Sequence, residues 1–421
     1  MKHDQIEAMI LSAERELKNR FSEIDAIEEA RTRQILDVFR KHHVSYRHFA
    51  PSNGYGYDDI GRDTLESIFA DVFHTEAAMI RPHIASGTAA LSMTLFGMTK
   101  PGERILSATG MPYDTLLGVI GIGKQKHPGS LKEMGIEFDC AELKNGKIDL
   151  DAVDHMICEN TSLVIAQRSR GYAWRPSLMP ADFKNLANLI HSKHPGVRLM
   201  VDNCYGEFVC PDEPTDYGAD LCVGSLIKNP GGGIAPTGGY ITGSKEDIDR
   251  IAGRLTAPGL GREIGSYEAS YRTFYQGFFM APHTVAQALK TALLTARVFE
   301  NLGFETTPTA LEKRADIIQA VKMQSAERLI AFCQGLQSAS PIDSLAEPEP
   351  WDMPGYDDPV VMAAGTFVAG ASIELSADGP IRPPYTAYIQ GALTYTHGRI
   401  ALAEALDKMI VKHCLNVDNK C

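Results

Sequence analysis

Residues 219–243, ADLCVGSLIKNPGGGIAPTGGYITG, run from an apolar, strand-like segment into one lysine, Lys228, and then into a turn of small residues and glycines. Twenty-six positions before that lysine, a second apolar segment, VRLMVDN (197–203), ends on an acid, Asp202. A lysine and a carboxylate at the ends of two buried strands are what a pyridoxal phosphate (PLP) enzyme needs. The amine forms a Schiff base with the cofactor aldehyde, and the acid keeps the ring nitrogen protonated. The competing reading is a lysine that merely caps a strand and faces water.

Further signals of the same chemistry lie in order along the chain. Ser86-Gly87-Thr88 follows an apolar run and opens the helix-like AALSMTLFGM. Backbone N–H groups at a helix start, helped by two hydroxyls, form a ready anion site, although Ser-Gly-Thr is equally an ordinary turn and cap. Tyr113, in MPYDTLLG after the strand-like RILSAT, is placed to lie on a cofactor ring or to serve as an acid or base. Taken alone, it would read as a core or surface tyrosine. Ser225, three residues before Lys228, either adds a hydroxyl to a phosphate or bonds along the sheet. For a substrate carboxylate, arginine is apt because its fork pairs with both oxygens. Arg382, stiffened by prolines in SADGPIRPPY, is the preferred candidate; Arg399 is the runner-up or a helix cap, Arg168 and Arg170 in the QRSRGYAWRP loop are placed to reach the cofactor face, and a surface salt bridge is the competing reading for all four.

Around these motifs the chain alternates strands and helices. Strand signals fall at 79–86, 104–109, 136–143, 163–167, 197–203, 220–226 and 238–243, with helical patterns at 88–98, 150–158 and 181–193 between them. That alternation predicts an α/β fold with a mostly parallel sheet covered on both faces. At 421 residues more than one globular unit is expected. The boundaries read as an N-terminal helical arm at 1–60, a large cofactor-binding domain at 61–295 and a smaller α+β domain at 296–421. In the tail the pattern suggests a helix at 283–300, another at 311–338, a strand at 365–375 and a helix from about 386. The proline-rich stretch near 347–354 reads as surface loop.

Composition narrows the function classes. A net charge of −12 argues against nonspecific nucleic-acid binding, which depends on cationic side chains. No apolar run approaches the length of a membrane span, and the N-terminal segment is a mixed-charge amphipathic helix. Eight scattered cysteines without a CxxC pair suit a reducing cytoplasm, with Cys204 and Cys222 read as core. No compact His/Cys/acid pattern supports a metal, and the glycine run at 231–233 has neither the GxGxxG of a dinucleotide fold nor the GK[ST] of a P-loop.

The order SGT, PYDT, VDN and SxxK resembles the large domain of fold-type-I PLP enzymes, the cystathionine and methionine lyase group. PYDTLLG, QRSRGYAWRPS, SLIKNPGGGIAPTGGYI, YQGFFMAPH and LTYTHGRIAL together resemble the bacterial aluminium resistance proteins, a methionine γ-lyase-like family. The resemblance runs almost from end to end. It implies a cofactor Schiff base on Lys228, ring-nitrogen pairing by Asp202, stacking by Tyr113, and phosphate held by Ser86, Gly87, Thr88 and Ser225. In the wider group a tyrosine and an arginine reach the phosphate from a neighbouring subunit. Tyr57 corresponds to that tyrosine, whereas Asp59 stands where the arginine is expected and Arg62 is its substitute. The implied assembly is a homotetramer, a dimer of dimers with shared sites. The implied reaction is β- or γ-elimination of a sulfur-containing amino acid. Transamination or another Cα reaction, and a PLP-binding regulatory role with little catalysis, remain as alternatives.

Overall fold

The computed structural model describes residues 2–123, 127–353, 356 and 358–415. The chain opens with one long helix, α1 (Lys2–Lys41), followed by α2 (Ile60–Val72). Then come β1 (Ala77–Arg81), α3 (Gly87–Met98), β2 (Arg104–Ser107), α4 (Asp114–Ile120), β3 (Glu137–Cys140), α5 (Leu150–Met156) and β4 (Thr161–Gln167). Next are α6 (Phe183–Lys193), β5 (Arg198–Asp202), β6 (Leu221–Ser225), β7 (Gly239–Gly243), α7 (Lys245–Leu255) and α8 (Arg272–Asn301). The remainder comprises β8 (Thr306–Thr307), β9 (Gln319–Lys322), α9 (Ala326–Ser338), β10 (Val360–Ala363), β11 (Ser376–Pro380), β12 (Thr386–Gln390) and α10 (Tyr395–Val411).

Strands β1–β7 form a seven-stranded sheet in the order β1-β7-β6-β5-β4-β2-β3. Only β7 runs against its neighbours; the other pairings within the sheet are parallel. The apolar strand runs are continuous because successive residues serve two different cores. Met79, Ile105, Leu163, Met200, Val223 and Ile241 pack with Leu91, Leu95 and Ile251 on one face. Their neighbours Ile80, Leu106, Val164, Val201, Cys222 and Tyr240 pack with Phe69, Phe183, Phe278 and Leu289 on the other. Each such aliphatic side chain, when fully buried, contributes about 1.5–3 kcal/mol. The sheet is therefore held by both faces at once.

The second sheet, β10-β11-β12-β9-β8, carries its own core with α9 and α10. Helix α1 joins both: Ile6, Met9, Ile10 and Ala13 pack into this second core, and Leu17, Ile24 and Ile35 into the first.

Several tail elements depart from the sequence reading. Helix α8 begins at Arg272 and passes through Pro282, which the sequence placed before the helix start. Phe274, Tyr275 and Phe278 bury this extra stretch, so tertiary packing outweighs the breaker signal. The span 311–338 is not one helix. Asp316 accepts a bond from the Ile318 N–H (3.1 Å), β9 follows, and α9 starts only where the Ser325 hydroxyl caps it (3.3 Å to Arg328 N). Residues 365–375 form a loop rather than a strand, gathered by Glu374, whose carboxylate accepts from Phe367 N (2.8 Å) and Val368 N (2.9 Å). The segment from 386 begins as β12, and its helix starts at Tyr395 after the Thr394 cap. The described part of 347–354 is irregular, with Trp351 exposed.

Candidate active site

In an open parallel sheet, loops leaving the carboxyl ends of the strands gather on one side and form the ligand crevice. Asp202 ends β5, Ser225 ends β6, and Lys228 follows in the turn after β6. The loop after β1 supplies Ser86, the loop after β2 supplies Tyr113, and β4 ends on Gln167 before Arg170. Residues scattered over 140 positions of sequence are thus brought to one edge by topology.

The turn holding Lys228 is rigid. A Cβ on Gly231 would lie 1.8 Å from the Leu226 carbonyl oxygen, so only glycine fits there. Lys228 Nζ stands 3.9 Å from the centre of the Tyr205 ring. Burial disfavours its charge, but Cys204, Tyr205, Asp202 and Glu207 outweigh burial and raise its pKa above the ordinary lysine value. Asp202 Oδ1 accepts a bond from Cys204 N (3.1 Å). Burial raises its pKa, opposed by Lys228 and by that bond.

Lys228, Asp202, Cys204, Tyr205 and Tyr113 wall an inner chamber of about 60 Å³, closed from the second sheet by Asp378, Tyr388 and Gln390. It adjoins an outer cavity of about 540 Å³ through shared walls at Tyr113, Gln167, Gly171 and Tyr172. Tyr113 is positioned by a bond from its N–H to Gln167 Oε1 (2.8 Å), and its hydroxyl meets that of Tyr356.

Helix α3 starts beside this chamber. The Ser86 hydroxyl accepts from Ala89 N (3.1 Å), while the first-turn N–H groups of Gly87 and Thr88 have no helical acceptor. A Cβ on Gly87 would sit 3.1 Å from Ser225 Cβ and 3.4 Å from Cys204 Sγ, so the bare glycine lets the helix start approach the end of β6. The Thr88 hydroxyl is bonded to that of Thr115 (3.0 Å).

Other sequence-selected residues lie elsewhere. Tyr57 is exposed and rests against Tyr55, ring centres 5.6 Å apart, outside the chamber walls. Asp59 is buried as the cap of α2 and accepts from the Tyr271 hydroxyl (2.9 Å). Arg62 is buried and engaged with Asp63 (2.7 Å) and the Gly56 carbonyl (2.8 Å), which makes it a buttress of its own loop. Arg382 stands on the rim of the outer cavity, paired with Asp358 (2.8 Å). Arg399 binds Glu7 (2.7 Å) and Glu14 (3.1 Å) and ties α10 to α1. Arg168 is fully buried on Asn203 (2.7 Å) and Glu213 (3.4 Å).

Arg170 differs from these. It lines the outer cavity, and its Nη1 donates to the Thr307 carbonyl (2.8 Å). Nε and Nη2, the edge that grips a carboxylate bidentately, have no hydrogen-bond partner among the described residues. Sequence reasoning passed over Tyr172, Tyr205, Asp378, Tyr388 and Gln390 as site residues. Cys204, read as core, is buried but also walls the chamber. Among the described residues no group of three or more His, Cys, Asp or Glu side chains could hold a metal ion, and no helix is long and apolar enough to cross a membrane.

The mostly parallel sheet flanked by helices is the fold of the fold-type-I, PLP-dependent transferase-like class. Within that class the chain belongs to the methionine gamma-lyase family, whose model matches residues 6–410. It is 50% identical over 406 residues to the uncharacterized protein YnbB of Bacillus subtilis, covering 96% of each chain. A solved carbon-sulfur lyase involved in aluminum resistance from Clostridium novyi superposes with a TM-score of 0.93 at 47% identity, over 96% of each chain. The PLP-dependent protein YhfS of Escherichia coli shares the fold at 16% identity, with a TM-score of 0.60, over 91% of this chain and 97% of its own.

Proposed function

We propose that this protein is a PLP-dependent carbon–sulfur lyase that cleaves a sulfur-containing amino acid by β- or γ-elimination. The carrying observation is the delivery of Lys228 and Asp202 into one chamber beside the α3 start, in a chain of the methionine gamma-lyase family. The side chains fit the cofactor in kind. Lys228 supplies the amine for the aldehyde, Asp202 a buried acid for the ring nitrogen, and Gly87, Thr88, Ser86 and Ser225 the cradle for the phosphate. Bound there, PLP would supply the electron sink for charge developing at the substrate α-carbon.

The remaining steps belong to the protein. Lys228 takes the proton from Cα, and Asp202 holds the proton at the ring nitrogen through the charge build-up. As the C–S bond breaks, the Tyr113 hydroxyl, bonded to Tyr356, gives a proton to the departing sulfur. Hydrolysis completes the reaction with a keto acid, ammonia and a thiol. For the substrate carboxylate, buried Arg170, whose Nε and Nη2 have no partner among the described residues, stands beside Arg382, whose guanidinium already pairs with Asp358.

The test is to titrate protein purified with PLP against cystathionine, methionine and cysteine while following thiol, keto acid and cofactor absorbance. Thiol release with a changing cofactor spectrum supports the lyase. Amino-group transfer to a keto acid without thiol would replace it with a transaminase. Absence of bound PLP would overturn the reading altogether.

A further inference from the structure

Asp378 and Tyr388 are directly opposed on β11 and β12, so their side chains share one face of the second sheet, and Gln390, two residues on, shares it too. That face closes the inner chamber over Lys228. Asp378 is only 7% exposed. Its Oδ2 accepts from Gln390 Nε2 (3.2 Å), but Oδ1 has no hydrogen-bond partner among the described residues. The Tyr172 side chain also hydrogen-bonds the Asp378 carboxylate and lowers its pKa, while Oδ1 itself keeps no partner of ordinary geometry among the described residues. Burial raises its pKa to about 7, opposed by Tyr172 and Gln390.

The large majority of buried side-chain oxygens are hydrogen-bonded, so an unpartnered one on the wall of a chamber calls for an explanation. Here one oxygen is buried without a partner, and the surroundings are aromatic: Tyr172 and Tyr388 rings lie 5.0 Å apart, Tyr172 and Tyr356 rings 5.6 Å, and Tyr113 and Tyr205 share the chamber. Tyrosine faces attract cations, and a buried acid among them strengthens that preference. Nor is Asp378 among the groups that set the charge on Lys228, which are Cys204, Tyr205, Asp202 and Glu207. A substrate α-amino group is committed to the cofactor and an α-carboxylate would be repelled by Asp378. The group left to meet it is the far end of the substrate side chain.

We infer that Asp378, framed by Tyr172 and Tyr388, is a specificity-determining residue that receives a cationic group at the end of the substrate side chain. It selects a thioether amino acid ending in an ammonium over a neutral one such as methionine. This inference rests on the lyase reading for the orientation of the substrate.

Binding can be measured without turnover. Lysine is the sulfur-free counterpart of S-aminoethylcysteine, and 2-aminoheptanoic acid is the same chain with methyl in place of ammonium; neither can lose a thiol. Calorimetry on protein purified with PLP is expected to show lysine bound about tenfold or more tighter, the scale of one charge-assisted hydrogen bond. Asp378→Asn should abolish that preference while keeping affinity for 2-aminoheptanoic acid. Equal affinity in the wild-type protein, or an undiminished preference in Asp378→Asn, would overturn the inference. The wild-type comparison decides the matter even if the variant does not fold. A parallel assay of thiol release from S-aminoethylcysteine and S-propylcysteine reads the lyase activity separately. No thiol from either, with the binding preference intact, would remove the lyase and leave a cation-selective amino-acid site.

Discussion

Lys228 and Asp202 share a chamber, and in the proposed reading they would serve different ends of the cofactor ring, so their loss should produce different failures. Lys228→Ala is expected to abolish turnover, and borohydride reduction should no longer fix PLP covalently to the chain. Full turnover in this variant would refute the assignment. Asp202→Asn should still retain PLP in dialysis yet lose roughly 10²-fold or more in kcat, the scale of removing one stabilising contact from a developing charge. Glu207 adds a prediction about stability. It is fully buried, accepts from the Tyr240 hydroxyl (2.7 Å), and has its other oxygen unpartnered among the described residues. Burial pushes its pKa up to about 8 from an ordinary 4.5. The folded chain therefore holds this proton more tightly than the unfolded chain. The resulting stability is complete below the ordinary carboxylate range and is lost as pH rises through about 8, by at most about 1.4 kcal/mol per pH unit. Tm should fall between about pH 5 and 8, and Glu207→Gln should flatten that fall. Identical slopes in both proteins would show that Glu207 does not hold the proton. That Lys228, Asp202 and Tyr113 line one chamber was legible in the sequence, because Asp202 ends an apolar run, Lys228 follows one and Tyr113 lies a short turn beyond one. Asp378 and the unpartnered edge of Arg170 were not, since a missing hydrogen-bond partner is a property of packing and has no local signature.

At the level of elements, the first half of the chain read well because its strands are bounded by polar or glycine turns and carry two cores on alternate residues. The tail read poorly for the opposite reason. β11 (SADGP) and β12 (TAYIQ) are buried along their whole length and are too short to show a period, and β11 even contains glycine and proline. The helix expected from 386 therefore displaced a central strand, and with it the face that presents Asp378 and Tyr388. The start of α3 offers a direct test of element placement. Its approach to β6 depends on Gly87, where a Cβ already comes within 3.1 Å of Ser225. Gly87→Val should push helix and strand apart at a cost of about 1–3 kcal/mol and raise the dissociation constant for PLP about tenfold. Equilibrium dialysis with unchanged affinity would show that the phosphate is held elsewhere.

On the scale of the whole molecule, the place of Tyr57 decides whether one chain makes a complete site. It is 59% exposed on the loop before α2, braced from within by Arg62 on the Gly56 carbonyl and by Asp59 on Tyr271, and absent from the walls of its own chamber. A rigid loop carrying an exposed tyrosine outward suits a group that completes the site of a second copy, as proposed from the resemblance. If the chain forms such a symmetric dimer the exchange would be mutual, and each site would combine one chain's Lys228 with the other chain's Tyr57. Complementation follows from that arithmetic. Tyr57→Ala and Lys228→Ala should each be strongly impaired as pure proteins. In randomly mixed dimers about half pair one variant with the other, and each such dimer contains one native site, so about a quarter of wild-type activity should return. A mixture no more active than the average of the two variants would place Tyr57 outside the partner's site, and light scattering on the same sample would show whether the chains associate at all.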